Sequence, residues 1–147
     1  MRIRTLTALL LFVGLPLMVS ASPAPTIMLP DQIQWSAGTG PLAGAEMAVL
    51  VGDPSKPGPF TIRLRIPDGG KLPAHYHSDT ERVTVISGTL LVGIGDTMVE
   101  SSMTTLPAGS FVSIPAGVHH YAMAKGQTVL QVGGTGPFVM TPVDQGK

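Results

Sequence analysis

Glycine and proline cut this chain at short intervals, and the apolar runs between them are too brief for helices. Of 147 residues, 18 are Gly and 14 are Pro, yet 44% of the chain is hydrophobic, far more than a disordered polymer carries. Turn signals stand at Asp53-Pro54, Lys56-Pro57-Gly58-Pro59, Pro67-Asp68-Gly69-Gly70, Ser87-Gly88, Gly95-Asp96, Pro107-Ala108-Gly109 and Pro115-Ala116-Gly117. Apolar, β-prone runs bounded in this way read as short strands. The spacing predicts strands over Gln32–Trp35, Glu46–Val51, Pro59–Ile66, Ala74–His77, Arg82–Ser87 and Thr89–Ile94. Further strands are predicted over Thr97–Glu100, Thr104–Leu106, Ser110–Ile114, His119–Ala124, Gln127–Val132 and Phe138–Thr141. No capped amphipathic helix fits after residue 30, so the fold class is all-β, a sandwich or a closed antiparallel barrel.

The first residues follow a different logic. Arg2 and Arg4 precede an apolar run from Leu6 to Val19, closed by Ser20-Ala21-Ser22-Pro23. A basic start, an apolar middle and small residues at the end make a secretory signal. The run falls short of the roughly 20 residues needed to span a bilayer, so the expectation is cleavage after Ala21 and no membrane anchor. The organisation is then a signal peptide over 1–21, an arm and first strand over 22–44, a barrel over 45–141 and a tail over 142–147. The chain has no Cys, which removes disulfides, thiol nucleophiles and thiolate metal sites. Export without disulfides suits a bacterial periplasmic or secreted protein held by packing. Nine basic residues balance nine acidic ones with no basic cluster, so nucleic acid is not expected as a partner.

The four histidines stand in two pairs, His75 with His77 and His119 with His120. Residues two apart on a strand share a face, so the imidazoles of His75 and His77 project together. Glu81 follows across Ser78-Asp79-Thr80, which reads as a turn, and could return a carboxylate to the same place. His119 and His120 are neighbours, so only one of them can join. Such a nitrogen and oxygen set suits Mn, Fe, Ni, Cu or Zn. By spacing alone, a His-x-His pair on a strand reads equally as a surface pair, and adjacent histidines can simply cap a sheet edge.

The spacing of glycine and proline around these residues adds a resemblance. Gly69 precedes His75-x-His77 by five residues, Glu81 follows after three more, and Gly88 after a further six. Gly109 precedes Pro115-x-Gly117 by five residues, and His120 follows after two. The two stretches resemble the paired motifs of the cupin superfamily, and the 20 residues from Thr89 to Ala108 suit the hairpin between them. The resemblance implies a single antiparallel cupin β-barrel, also described as a double-stranded β-helix, jelly-roll-like. It implies a divalent transition metal (Fe, Mn, Ni, Zn or Cu) held by His75, His77, Glu81 and His120, with His119 outside the set. It also implies a pocket at the barrel mouth for a small-molecule ligand or substrate, and a homodimer. The second motif normally carries Asn after three residues beyond the His, where this chain has Ala124. The stretch Gly52–Phe60 is similar to one in small exported single-domain cupins.

Two functions follow as expectations. One is a metal-dependent enzyme, dioxygenase-like or an isomerase or lyase, acting on a small oxygenated substrate. The other is a non-catalytic module that binds or senses a small molecule or metal, which the absence of Asn at Ala124 favours. Arg63, alternating with Ile62 and Leu64, reads either as part of a solvated face or as the pocket residue that holds an anionic substrate. Tyr76 is expected to point away from the metal side. Met98, Met103 and Met123 lack copper-type clustering and read as core filling.

Overall fold

Strand β8, His120–Gly136, receives partners along both edges, and the remaining strands are arranged by that pairing. The computed structural model describes residues 24–144, and its other strands are β1 (Ser36–Ala37), β2 (Glu46–Val51), β3 (Gly58–Ile66) and β4 (Lys71–His77). They continue with β5 (Glu81–Ile94), β6 (Thr104–Pro107), β7 (Phe111–Ile114) and β9 (Met140–Pro142). On one edge β8 pairs with β5, from Ile94 opposite His120 to Arg82 opposite Gly133. On the other edge it pairs first with β4 (His75 opposite His120) and then with β3, from Ile66 opposite Thr128 to Gly58 opposite Gly136. All pairings are antiparallel. One strand serving two successive partners curls the antiparallel sheet around an apolar interior, and the described fold is all-β.

Alternation fills that interior. In β3, Phe60, Ile62, Leu64 and Ile66 are buried while Arg63 and Arg65 between them face the other way. Val83 and Val85 point inward from the first half of β5, and Leu90 and Val92 from the second. The inward parity changes because the ladder shifts register between Val85 and Thr89. Leu130 and Val132 of β8 complete the layer. Each such side chain contributes roughly 1.5–3 kcal/mol by leaving water.

The corner where β5 and β8 bend is built from two residues, Gly88 and Thr128. Gly88 has φ 77°, and a Cβ there would lie 2.4 Å from the Gln127 carbonyl oxygen, so only glycine fits without strain. Across from it Thr128 is wholly buried. Its hydroxyl accepts the Thr89 N–H at 3.1 Å and can donate to the Thr89 carbonyl at 3.0 Å or the Gly126 carbonyl at 3.1 Å. Buried polar atoms that the bulge would otherwise strand are thereby paired.

Several expected boundaries change. Gly88 reads as a turn in sequence and the predicted strands also break at Lys125-Gly126, but the ladder resumes beyond each, so two pairs of predicted strands become the single strands β5 and β8. Gln32–Trp35 is not a strand: Pro30–Gln32 forms a 3-10 turn in which the Gln32 side chain accepts the Leu29 N–H at 2.9 Å. Thr97–Glu100 is not a strand either, since Glu100–Ser102 forms a 3-10 turn and Glu100 pairs with Lys71 at 2.7 Å. Met98, Met103 and Met123 are half-buried and stand outside the central core. The expected signal peptide and its cleavage point lie outside the described residues.

Thr128→Val keeps the shape and removes the hydroxyl, so it should lower stability by about 1–3 kcal/mol. Gly88→Ala should also be destabilising, through its positive φ and the backbone contact. Urea unfolding midpoints check both, and an unchanged midpoint for Thr128→Val would show that these hydrogen bonds are not net stabilising.

Candidate metal centre

Strand β4 begins with alternate residues inside, loses that parity, and regains it displaced. Its pairing with β8 shifts between Leu72 and His75, across Pro73, which has no N–H to give to a ladder. Beyond the shift, His75 and His77 both face the interior and are 3% and 6% exposed. The Pro73 carbonyl accepts the His75 Nδ1–H at 2.7 Å. His120 opens β8 directly opposite His75, and its Nδ1–H donates to the Val118 carbonyl at 2.9 Å. Glu81 opens β5 opposite Ile114 and is buried.

These elements bring His75, His77 and His120 together, each with a ring nitrogen within 4.8 Å of the others. The ring centroids are 4.2 Å apart for His75 and His120, 4.9 Å for His75 and His77, and 5.4 Å for His77 and His120. The Glu81 carboxylate adjoins two of the three, with Oε2 3.3 Å from His120 Nε2 and Oε1 3.7 Å from His77 Nε2. His119 is turned outward, its Nδ1 2.6 Å from Asp96 Oδ1 and its ring stacked on Tyr76 at 4.9 Å. Tyr76 lies where alternation predicts, and His119 where the resemblance implies.

The residues fit a metal on their own evidence. With Nδ1–H given to a backbone carbonyl, His75 keeps a free lone pair on Nε2, while the Nε2 of His120 shares a proton with Glu81 that a metal would displace; both rings are held by an outer hydrogen bond as histidine ligands are. Neither ring nitrogen of His77 has a hydrogen-bond partner, although both are buried. Leaving such a group unpaired costs about 1–3 kcal/mol, which a bound cation would offset. Imidazole and carboxylate donors without thiolate suit Mn, Fe, Ni, Cu or Zn.

Burial sets the protonation. It pushes His75 down to about 4, against the pull of its Pro73 hydrogen bond, and it lowers His77 as well. His75 is therefore neutral at pH 7 and ready to donate a lone pair. Burial acts on Glu81 and His120 too, but there the pair wins. The His120 hydrogen bond, with the neighbouring imidazoles, holds Glu81 below the usual carboxylate range. Burial would lower His120, but the Glu81 carboxylate and the Val118 carbonyl raise it.

Next to this cluster lies a cavity of about 140 Å³. His75, His77 and Glu81 form its polar end, and Ile62, Leu64, Leu72, Val132 and Phe138 form its walls. Leu42, Met47, Pro54 and Met140, all half-buried, complete the lining. Arg63, the residue considered for the pocket, is not there. Ile62 and Leu64 take the inward positions of β3, so Arg63 faces away between Ala48 of β2 and Gln131 of β8. Sequence reasoning missed Phe138, whose ring stacks on His77 at 4.3 Å and 14° and packs on Phe60 at 5.0 Å. Its predicted strand carried no signal of this contact, which depends on how the chain turns after β8.

The cupin domain family matches residues 62–140, more than half of the chain. No curated protein sequence matches. Solved structures do. A cupin described as RmlC-like from Shewanella frigidimarina aligns at 17% identity with a TM-score of 0.59, over 76% of this chain and 91% of that one. The polyketide cyclase RemF from Streptomyces resistomycificus aligns at 15% identity and 0.69, over 84% of this chain and 89% of that one. A salicylate 1,2-dioxygenase from Pseudoaminobacter salicylatoxidans, in complex with gentisate, aligns at 18% identity and 0.58, over 72% of this chain and 30% of that one. At such identities the likeness is one of fold, and the family rests on the sequence match together with the barrel: the chain belongs to the cupin family.

Proposed function

We propose that this cupin is an exported metal-dependent enzyme, dioxygenase-like or an isomerase or lyase, acting on a small oxygenated substrate. The observation that carries this reading is the convergence of His75, His77 and His120, with Glu81 against two of them, at the polar end of a cavity. His75 and His120 would hold the metal through Nε2, His77 through a nitrogen that otherwise has no partner, and Glu81 through its carboxylate. A transition metal there would supply Lewis acidity or oxygen activation. The protein's own contribution is to orient the ligands, keep water out with apolar walls, and store a proton between Glu81 and His120. The dioxygenase and the polyketide cyclase of the same fold support an enzymatic role by analogy alone.

A second reading, a non-catalytic binding or sensing module, is favoured by one feature. No acid–base side chain lines the cavity apart from the candidate ligands. Substrate-dependent oxygen uptake would favour the enzyme, and reversible ligand binding without turnover the module. Export is proposed from Arg2, Arg4 and the apolar run to Val19, and places the protein in the periplasm or outside the cell. A homodimer is proposed because the edge strands of so small a barrel need cover.

His77→Ala should abolish retention of stoichiometric transition metal by untagged, metal-supplemented protein, as read by elemental analysis. Full metal content with unchanged thermal stability in that variant would remove the metal centre as proposed. Metal affinity should also depend on pH in a defined direction. His120 is raised by Glu81, so in metal-free protein it holds its proton to a higher pH, and the metal must displace that proton. Affinity should rise with pH through the His120 titration and level off above it, while His75, at about 4, adds no dependence near neutrality. Glu81→Gln removes the partner that raises His120, so the remaining pH dependence should move to lower pH, with weaker binding overall. Competition titrations with a chromogenic chelator measure both effects. Intact mass of the protein recovered from its own compartment should show Ser22 as the first residue, and a mass retaining Met1 would contradict export by cleavage.

A further inference from the structure

The cavity beside the candidate ligands divides sharply into two ends. Its polar groups are His75, His77 and Glu81, all at one end. The rest of the wall is apolar, with Ile62, Leu64, Leu72 and Val132 beyond Phe138, which lies against His77, and there is no Lys or Arg among the described lining residues. The nearby cations are engaged elsewhere: Arg65 pairs with Glu46 at 2.6 Å and lies over Trp35, and Lys71 pairs with Glu100 at 2.7 Å. Arg63 faces away across β3.

A ligand charge on the far side from the histidines would therefore lose its water and gain no counter-ion. Burying an ionised carboxylate in that way is so costly that the ligand would protonate or be excluded. The volume bounds the ligand as well. A cavity of about 150 Å³ lined by Leu, Ile and Phe accepts benzene, and the value here is about 140 Å³. Phe138 and His77, stacked nearly parallel, present flat surfaces to the same space.

We infer that the site takes a one-ring molecule with oxygens on a single edge, that edge turned toward His75, His77 and Glu81, and an uncharged apolar body against the wall. This rests on the metal-centre reading for what the oxygens meet, and on the cavity alone for the exclusion of a remote charge. Substrates anchored by a second, distal anionic group are excluded by the same wall.

The test compares ligands that differ only at the distal side. Zinc-supplemented full-chain protein is titrated anaerobically, by calorimetry, with methylcatechol (methyl opposite one hydroxyl) and with protocatechuate, which carries a carboxylate there. Zinc content is measured on the same samples. Methylcatechol should bind at least about tenfold more tightly. Equal or tighter binding of protocatechuate to zinc-bearing protein overturns the inference. In parallel, metal-free protein is titrated with para-cresol and with terephthalate, which carries a carboxylate at both ends of the ring, while the aromatic NMR signals are followed. Para-cresol should shift them saturably, and terephthalate binding as well as para-cresol would overturn the inference here too. Loss of zinc from all samples, with para-cresol still preferred, would sink the metal reading and leave the cavity's selectivity supported. Phe138→Ala should weaken methylcatechol about fivefold or more while zinc is retained. Unchanged affinity in that variant would place the ligand outside this cavity and overturn the inference.

Discussion

Two edges of one strand carry the structure. Residues His120–Gly136 pair with β5 along one side and with β4 and then β3 along the other. Because β3 and β4 share that edge in succession, they meet the same strand from different parts of the curled sheet. The first residue of β8 is itself a candidate ligand, opposite His75 on β4 and Ile94 on β5. The hydrogen bonds that join β4 to β8 therefore also fix the distance between His75 and His120. Further along, Thr128 and Gly88 let β5 and β8 bend together without leaving buried backbone groups unpaired. Fold and site share one set of pairings, so damage at the corner would be transmitted along the same strand that holds the site.

Burial then dictates the chemistry at the end of that strand. Three imidazoles confined in an apolar interior cannot all carry protons, since each charge would be desolvated and would repel the others. His75 and His77 are pushed toward the neutral form, which is the form that binds cations. Glu81 keeps its charge because His120 can share a proton with it. The cluster thus has donors suited to a metal and largely prepared for one, and its coupled proton is the one that a cation would displace. The Pro73 and Val118 carbonyls orient the rings from outside by accepting the Nδ1–H groups.

Much of this could be read from the order of residues. The alternation in β3 and the same-face placement of His75 and His77 follow from the two-residue period of a strand, and so does the separation of His119 from His120, while the choice of His119 as the outward one comes from the family resemblance. Glycine and proline marked most strand ends. They misled at Gly88 and Gly126, where a bulge and a bend look like turns to local rules while the ladder continues through them. They could not announce the 3-10 turns at Pro30–Gln32 and Glu100–Ser102, where local side-chain bonding and a distant ion pair take the place of a ladder.

By itself, then, the sequence determined the all-β character and the shared face of His75 and His77, because turn chemistry and strand period are local. Tertiary structure decided what those donors face. Arg63 lies outside the pocket because the inward positions of β3 belong to Ile62 and Leu64, and inside and outside are defined only when β3 pairs with β2 and β8. Phe138 joins the site because the chain returns after β8 to lay β9 against β4. The apolar wall, which sets what the site can accept, is assembled from separate strands, and no local pattern records which of their faces will meet.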